Sequence, residues 1–248
     1  MFFILEKSQN ADNQEDKHRQ ETMMSAKLVG IVYLFLVLNF YYQSNWFNDH
    51  HTYSYSFWKV TPITLLVIVA FIKGETIGGY ALIFGAIGDW IIGIRADGII
   101  LGAFAFGAGH LLYMKLLSEH KIRIHNPFQF LMLLWAVFVV KYCYLPLLPE
   151  HKIPVAVFSI YSLALSRVTL VAVSQYLNET KTLSKAASIH RAIGFFLFYI
   201  SDSFIILTHV GIWTFYSSEL VLATYYLAQF LILFGNLAAR NTDVVKVE

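Results

Sequence analysis

Eight apolar stretches, each long enough to cross a lipid bilayer, constrain this chain more than any other feature. They run approximately over 28–46, 57–73, 78–94, 98–117, 128–147, 154–177, 187–209 and 217–238, and about 17–25 apolar residues in helical form match the hydrocarbon thickness. Runs this uniformly apolar lack the alternation of membrane barrel strands, so helices are the reading that satisfies every backbone N–H and C=O inside lipid. The expected fold class is all-α, a polytopic membrane bundle of eight transmembrane helices over 27–238. A polar N-terminal tail over 1–26 and a short C-terminal tail over 239–248 flank it, and the connections are too short for a second domain. Only 14% of the residues are charged, against about 25% in soluble domains. A soluble enzyme and a nucleic-acid binder are thereby excluded.

The opening Met1-Phe2-Phe3-Ile4-Leu5 meets Glu6 at once. That is shorter than the apolar core of about 7–15 residues in a signal peptide, so insertion is expected to begin with the first span. The single Cys143 allows no disulfide within the chain. Loop charge sets orientation. Lys7, Lys17, Arg19, Lys27, Lys73, Lys115, Lys121, Arg123, Lys181, Lys185, Arg240 and Lys246 fall on the N-terminal side, against Arg95 and Lys152 on the other. Both termini are therefore expected in the cytosol, an outcome that requires an even number of spans. The one sequon, Asn178-Glu179-Thr180, falls on the same cytosolic side.

Four basic residues remain inside the spans: Lys59, Lys141, Arg167 and Arg191. Arg191 and Lys141 are close enough to helix ends to snorkel and read as structural. Asp89 and Asp202 are deeper, in Gly-Ala-Ile-Gly-Asp-Trp-Ile-Ile-Gly and Tyr-Ile-Ser-Asp-Ser-Phe-Ile-Ile. A carboxylate at a helix centre costs about 2.5–3.5 kcal/mol even on the mildest scale. The bland reading is an ion pair of each Asp with Lys59 or Arg167; the functional one is a shared site, because both acids and Lys59 reach the same half of the membrane. Gly85 and Gly93 flank Asp89 at i−4 and i+4, which admits either a neighbouring helix or a ligand. Gly102, Phe106, His110 and Tyr113 form one stripe, Gln229 shares a face with Tyr225 and Tyr226, and Pro62 is expected to kink its helix just after Lys59.

Familiar hydrolase templates are missing. His50 and His51 are adjacent in a loop, no His-x-x-x-His lies on a helix, and there is no Gly-x-Ser-x-Gly elbow, phosphate loop or clear inverted repeat. Neither a metal nor an organic cofactor is expected.

Five segments carry a resemblance: Lys59-Val-Thr-Pro62, Gly88-Asp89, the Gly102 to Tyr113 stretch ending His110-Leu-Leu-Tyr113, Arg191 through Ser201-Asp202, and Ala223-Thr-Tyr225-Tyr226-Leu-Ala-Gln229. In this order they resemble the YhhN family of membrane proteins, whose animal members include lysoplasmalogenases. The resemblance covers roughly residues 57 to 235, with Gly85 standing where family members often have Ser. It implies an eight-helix bundle that hydrolyses the vinyl ether of lysoplasmalogens to a fatty aldehyde and glycerophospho-ethanolamine or -choline. The implied partners are a lysophospholipid substrate and the bilayer, the expected location an endoplasmic reticulum membrane.

That chemistry suits the residues. Protonation of the vinyl β-carbon gives an oxocarbenium ion, water captures it as a hemiacetal, and the hemiacetal falls apart to aldehyde and alcohol. One neutral carboxylic acid and one carboxylate are needed. Asp89 is read as general acid and Asp202 as the carboxylate that stabilises the cation and directs water, with the reverse assignment open. Lys59 would bind phosphate or tune the acids, while His110, Tyr113, Ser201, Tyr225, Tyr226 and Gln229 would line the polar end. The rival class is a non-catalytic lipid-binding or proton-coupled transport protein using the same acids. Cavity shape discriminates: a blind pocket open to lipid, with both acids at its end, fits an enzyme, and a path to the opposite face fits transport.

Overall fold

The computed structural model describes residues 26–48, 50–120, 123–179, 183–213 and 215–245, with side chains as far as Arg240. The expected tail over 1–26 thus lies almost wholly outside the described residues, as does Thr180 of the sequon. Eight helices are long and apolar enough to cross a membrane: α1 (Ala26–Gln43), α2 (Tyr53–Ile72), α3 (Thr76–Ile94), α4 (Ile99–Leu117), α5 (Asn126–Leu147), α6 (Lys152–Leu177), α7 (Lys185–His209) and α8 (Ser217–Val245). No strand occurs among the described residues. The chain is an all-helical, multi-pass membrane protein. With eight spans, α1 begins and α8 ends on one face, here the near face; the connections after α1, α3, α5 and α7 form the far face.

Local chemistry sets several starts. Thr52 caps α2 by accepting from the Tyr55 amide at 3.0 Å, Ser184 caps α7 through the Ala187 amide at 3.2 Å, and Glu75 caps α3 through the Gly78 amide at 3.1 Å. These caps lie a few residues outside the apolar runs, which is why α2 begins at Tyr53 rather than near 57. At the other end α8 continues to Val245, past the boundary at 238 that hydropathy alone marks, so the first part of the expected C-terminal tail is helix.

The helices pack unequally. α1 and α5 are the least buried spans, and α8 is the most buried. Neighbours in sequence pack side by side, α7 with α8 and α3 with both α2 and α4, while α6 bridges α4 and α7. α2 crosses Pro62 as one unbroken helix. Pro62 cannot donate to the Trp58 carbonyl, and one residue on, the Lys59 carbonyl accepts from the Tyr226 hydroxyl of α8 at 2.8 Å. Tyr33 of α1 donates in turn to the Tyr226 carbonyl at 2.8 Å, tying three helices together.

α5 is not regular. Over Val140–Tyr144 it widens into a π-helical turn just ahead of Pro146, which has no amide to continue the ladder. Lys141 sits in this turn, exposed, with its ammonium 5.1 Å from the Tyr142 ring centroid. Arg191, by contrast, does not snorkel: it is 2% exposed, and its Nε donates to Asn236 Oδ1 at 2.8 Å. The small side chains of α8 leave room for it, since a Cβ on Gly235 would press against Arg191.

Candidate active site

A cavity of about 710 Å³ occupies the far half of the bundle. Asp89 and Asp202 both line it, together with Lys59, Ser201 and Tyr225. At about 1.5 Å per residue from the far-face helix ends, Lys59, Asp89 and Asp202 lie about 8–11 Å deep. The depth match read from the sequence therefore brings the two acids to one space.

Asp89 is held by two opposed partners. Lys59 Nζ stands 3.1 Å from Oδ1, and the Tyr225 hydroxyl donates to Oδ2 at 2.5 Å. Because that phenol proton is used on Asp89, Gln229 Nε2 donates to the Tyr225 oxygen, at 3.1 Å. Asp89 is 2% exposed and Lys59 7%, so a close ion pair with further hydrogen bonds is what makes the buried charges tolerable. The Lys59 amine is thereby committed to the acid rather than free for a phosphate.

Asp202 is built differently. Its Oδ2 accepts a short hydrogen bond from the Tyr161 hydroxyl, and no cation lies within salt-bridge distance among the described residues. His110 Nε2 is 3.2 Å from the same phenol oxygen. With the Tyr161 proton directed at Asp202, Nε2 must carry the donor hydrogen, which leaves Nδ1 as the bare nitrogen. His110 Nδ1 is buried with no hydrogen-bond partner. His110 thus stands behind Tyr161 instead of on the cavity wall.

The remaining expected site residues divide. Ser201 is on the wall but donates to the Val221 carbonyl at 2.9 Å, bonding α7 to α8. Tyr226 and Gln229 stand behind Lys59 and Tyr225 and do not line the cavity. Tyr113 is removed from the site: it packs on Phe195, ring centroids 5.3 Å apart, and its hydroxyl has no partner. Arg167 is exposed on α6 and pairs with neither acid.

The glycines around Asp89 serve close packing. A Cβ on Gly93 would strike Ser56 of α2, and one on Gly88 would lie 2.7 Å from the Phe106 ring of α4. Neither Gly85 nor Gly93 opens onto the cavity.

Tyr161 is the principal site residue that the sequence reading missed. It sits in Ser-Ile-Tyr-Ser-Leu-Ala on α6, where one aromatic among many in an apolar run gives no sign of its partner. Ser162 and Ser166, at i+1 and i+5, also line the cavity, and this density of hydroxyls was the available signal. Tyr144, from the π turn, hydrogen-bonds Ser162 at 2.7 Å on the same wall.

The cavity changes character with depth. Exposed His50, His51 and His209 mark its far-face mouth. Beyond the acids the wall combines apolar Trp135, Val139 and Leu165 with the hydroxyls of Tyr161, Ser162, Tyr199 and Ser166, reaching about 18–21 Å. Val140 and Leu163, 46% and 71% exposed, belong to the wall as well, so the cavity reaches the lipid-facing surface beside α5 and α6. The acids stand part-way along this space rather than at its closed end. Among the described residues, none that lines the cavity comes from a near-face connection. A separate polar cavity of about 210 Å³, lined by Glu75, His120, Arg191 and Arg240 among others, lies at the near face and shares no residue with the first.

Among the described residues no group of three or more His, Cys, Asp or Glu is gathered that could hold a metal ion. What the site offers is two carboxyl groups in different settings, phenol and serine hydroxyls along the wall, and a largely apolar cavity that reaches the surface beside α5 and α6. No curated protein matches the chain, nor does any solved structure. The match to the YhhN family spans residues 54–236, which takes in both acids and every partner named for them, and the chain belongs to that family.

Proposed function

We propose that the chain is a lysoplasmalogenase-like hydrolase that cleaves the vinyl ether of a lysophospholipid with two intramembrane aspartates and no cofactor. The YhhN family is consistent with a hydrolase. The observation that carries the finer reading is the order along the cavity: a mouth lined by His50, His51 and His209, the acids part-way down, and beyond them a largely apolar wall of Trp135, Val139, Leu163 and Leu165 with scattered hydroxyls. A single-chain lipid has the same order of headgroup, vinyl ether and hydrocarbon tail.

The two settings divide the labour. Asp89, with a cation at its side, is the standing carboxylate. Asp202, held only through hydroxyl contact at Oδ2, carries the transferable proton. Asp202 protonates the vinyl β-carbon, and the C=C electrons form the new C–H bond and leave an oxocarbenium ion. Asp89 offers negative charge to that cation. Water adds to the cationic carbon and returns a proton to Asp202, and the hemiacetal hydroxyl proton passes to the ether oxygen as the C–O bond breaks. Aldehyde and glycerophospho-alcohol leave, and both acids regain their starting states. A catalytic reading is favoured over transport because the described residues that line the large cavity all come from the helices and the far-face connections.

Purified protein should release fatty aldehyde from a lysoplasmalogen and leave the saturated alkyl-ether analogue intact, since only the vinyl ether yields a stabilised cation on protonation. Absence of aldehyde from active-site-intact, folded protein would refute the assignment. The twelve-to-two loop bias supports cytosolic termini, with the endoplasmic reticulum as the proposed membrane. An acceptor sequon engineered after His209 should then be glycosylated in microsomes while Asn178 stays bare.

A further inference from the structure

From the far-face mouth of the cavity we infer a phosphodiester headgroup subsite, formed by His51, His209, Ser217 and Ser218, that draws a single-chain lipid from the leaflet opposite the two termini. The inference rests on the lipid-hydrolase reading and adds to it where the headgroup sits and which leaflet supplies it.

Three observations converge on this mouth. The first is chemical. Among the described residues no unpaired Lys or Arg lines the cavity, and the Lys59 amine is engaged by Asp89. Polar donors nevertheless cluster where the cavity meets the far face. His50, His51, His209, Ser217 and Ser218 all line it there, and the three histidines are exposed. Thr208, on the same wall, has a buried hydroxyl with no hydrogen-bond partner. Imidazole N–H and hydroxyl groups are phosphate-oxygen donors, and their hydrogen bonds to a charged acceptor are the stronger class.

The second observation is depth. The acids lie about 8–11 Å below the far-face helix ends. In a lysophospholipid the sn-1 ether oxygen is separated from the phosphate by one glycerol unit. A lipid resting in the far leaflet, with its phosphate at the mouth, therefore lowers its vinyl ether toward the acids without leaving its own leaflet depth. Its tail then follows the apolar side chains of α5 and α6 to the side opening at Val140 and Leu163. A lipid from the near leaflet would have to carry its charged headgroup through the hydrocarbon centre to present the same bond, which is the costly arrangement.

The third observation is local anchoring of the α1–α2 connection at the mouth. In the α1–α2 connection Asn45, Trp46, Phe47 and His51 all have positive φ, between 47° and 65°. Such backbone persists only where its surroundings fix it. Phe47 supplies that anchor, buried against the rings of Phe40 and Tyr41 with centroids 4.9 Å away in each case, and its amide donates to Ser44 Oγ at 3.0 Å. His50 is steadied by Tyr55, ring centroids 5.1 Å apart. His50 and His51 thus follow the anchored Phe47 turn, and His209 is carried by the last turn of α7.

The test uses full-length protein in nanodiscs. It is titrated with a 1-O-alkyl lysophosphatidylethanolamine and with the 1-O-alkylglycerol of the same chain length, and binding is followed by tryptophan fluorescence. Neither ligand carries a vinyl ether, so affinity is read without turnover. Wild type should prefer the phosphate-bearing ligand by about tenfold or more, the equivalent of one hydrogen bond to a charged group. Combined His51→Ala and His209→Ala should erase most of that preference and keep the alkylglycerol affinity, which reports an intact fold. His50 is left in place because it packs on Tyr55. Should the pair fail to fold, Ser217→Ala with Ser218→Ala carries the same expectation. Equal affinity of wild type for the two ligands, or a preference that survives both substitutions, overturns the subsite while aldehyde release still stands as the separate measure of the hydrolase reading. Wild type that binds neither ligand and releases no aldehyde removes both. In proteoliposomes given lysoplasmalogen only from outside, molecules with their termini inside should do the hydrolysis; hydrolysis confined to the opposite orientation overturns the leaflet assignment.

Discussion

Asp89 and Asp202 are the same side chain at nearly the same depth on one cavity, but the walls that hold them differ. The wall of α2, α3 and α8 gives Asp89 a full cation, a phenol and, behind that phenol, Gln229. Its ties run on through Tyr226 and Tyr33 to the backbones of α2 and α8. The wall of α4, α6 and α7 gives Asp202 only the Tyr161 hydroxyl, backed by the His110 ring. One acid is neutralised by a charge and the other is supported by neutral donors. A cavity needing one ionised and one proton-bearing carboxyl can thus obtain both from a single residue type, because the partners rather than the acids differ.

Substitutions can break this contrast. The largest effect is expected from Asp89→Asn, which removes the carboxylate and leaves Lys59 buried without its counter-charge. Aldehyde release should fall about 10²-fold or more, and stability should fall by about 3–5 kcal/mol, read as a lowered melting temperature in detergent. Adding Lys59→Met should restore much of the stability and none of the activity. A melting temperature unmoved by Asp89→Asn would mean that the ion pair is not what steadies this wall.

Asp202→Asn should lose activity to a similar degree, about 10²-fold, with melting close to wild type because no cation is orphaned. If this variant were active but unstable, Asp202 would be a structural group and the proposed division of roles would fail. The double variant at both acids should be scarcely less active than either single one, since both serve one transition state.

Tyr161→Phe probes the second wall more gently. Without the hydroxyl, Asp202 loses its positioning partner and His110 its acceptor, and turnover should fall about tenfold, in keeping with the loss of one hydrogen bond to a charged or strongly polar group. The pH dependence of turnover should shift as well, which a purely structural tyrosine would not cause. Tyr113→Phe is the smallest case. Its hydroxyl is buried without a partner, so removal should leave activity unchanged and stability equal or slightly higher. A clear loss of aldehyde release there would restore Tyr113 to the site.

The contrast also explains what could be read beforehand. Hydropathy placed all eight spans because lipid imposes a length and an apolar composition on each helix independently of its neighbours. The two acids were legible for the same reason, as charges where solvent cannot pay for them. Lys59 was legible as a cation in the same half of the membrane. Tyr161 was not, since a phenol is ordinary in an apolar run and only the approach of α6 to α7 gives it Asp202. Tyr113 erred the opposite way: its i+3 spacing from His110 is real, but one turn further along α4 meets Phe195 rather than the cavity.

Sequence alone determined the helix count, the common face of the termini, and the depth of Asp89, Lys59 and Asp202, because each follows from counting along one helix at a fixed rise. Tertiary structure decided that Lys59 pairs with Asp89 and not Asp202, that Arg167 pairs with neither, and that His110 stands behind Tyr161. It also decided that the cavity opens at the far face and beside a π turn in α5. Those outcomes depend on the rotation of each helix about its axis and on which neighbour it meets, and both are set by packing between segments distant in the chain.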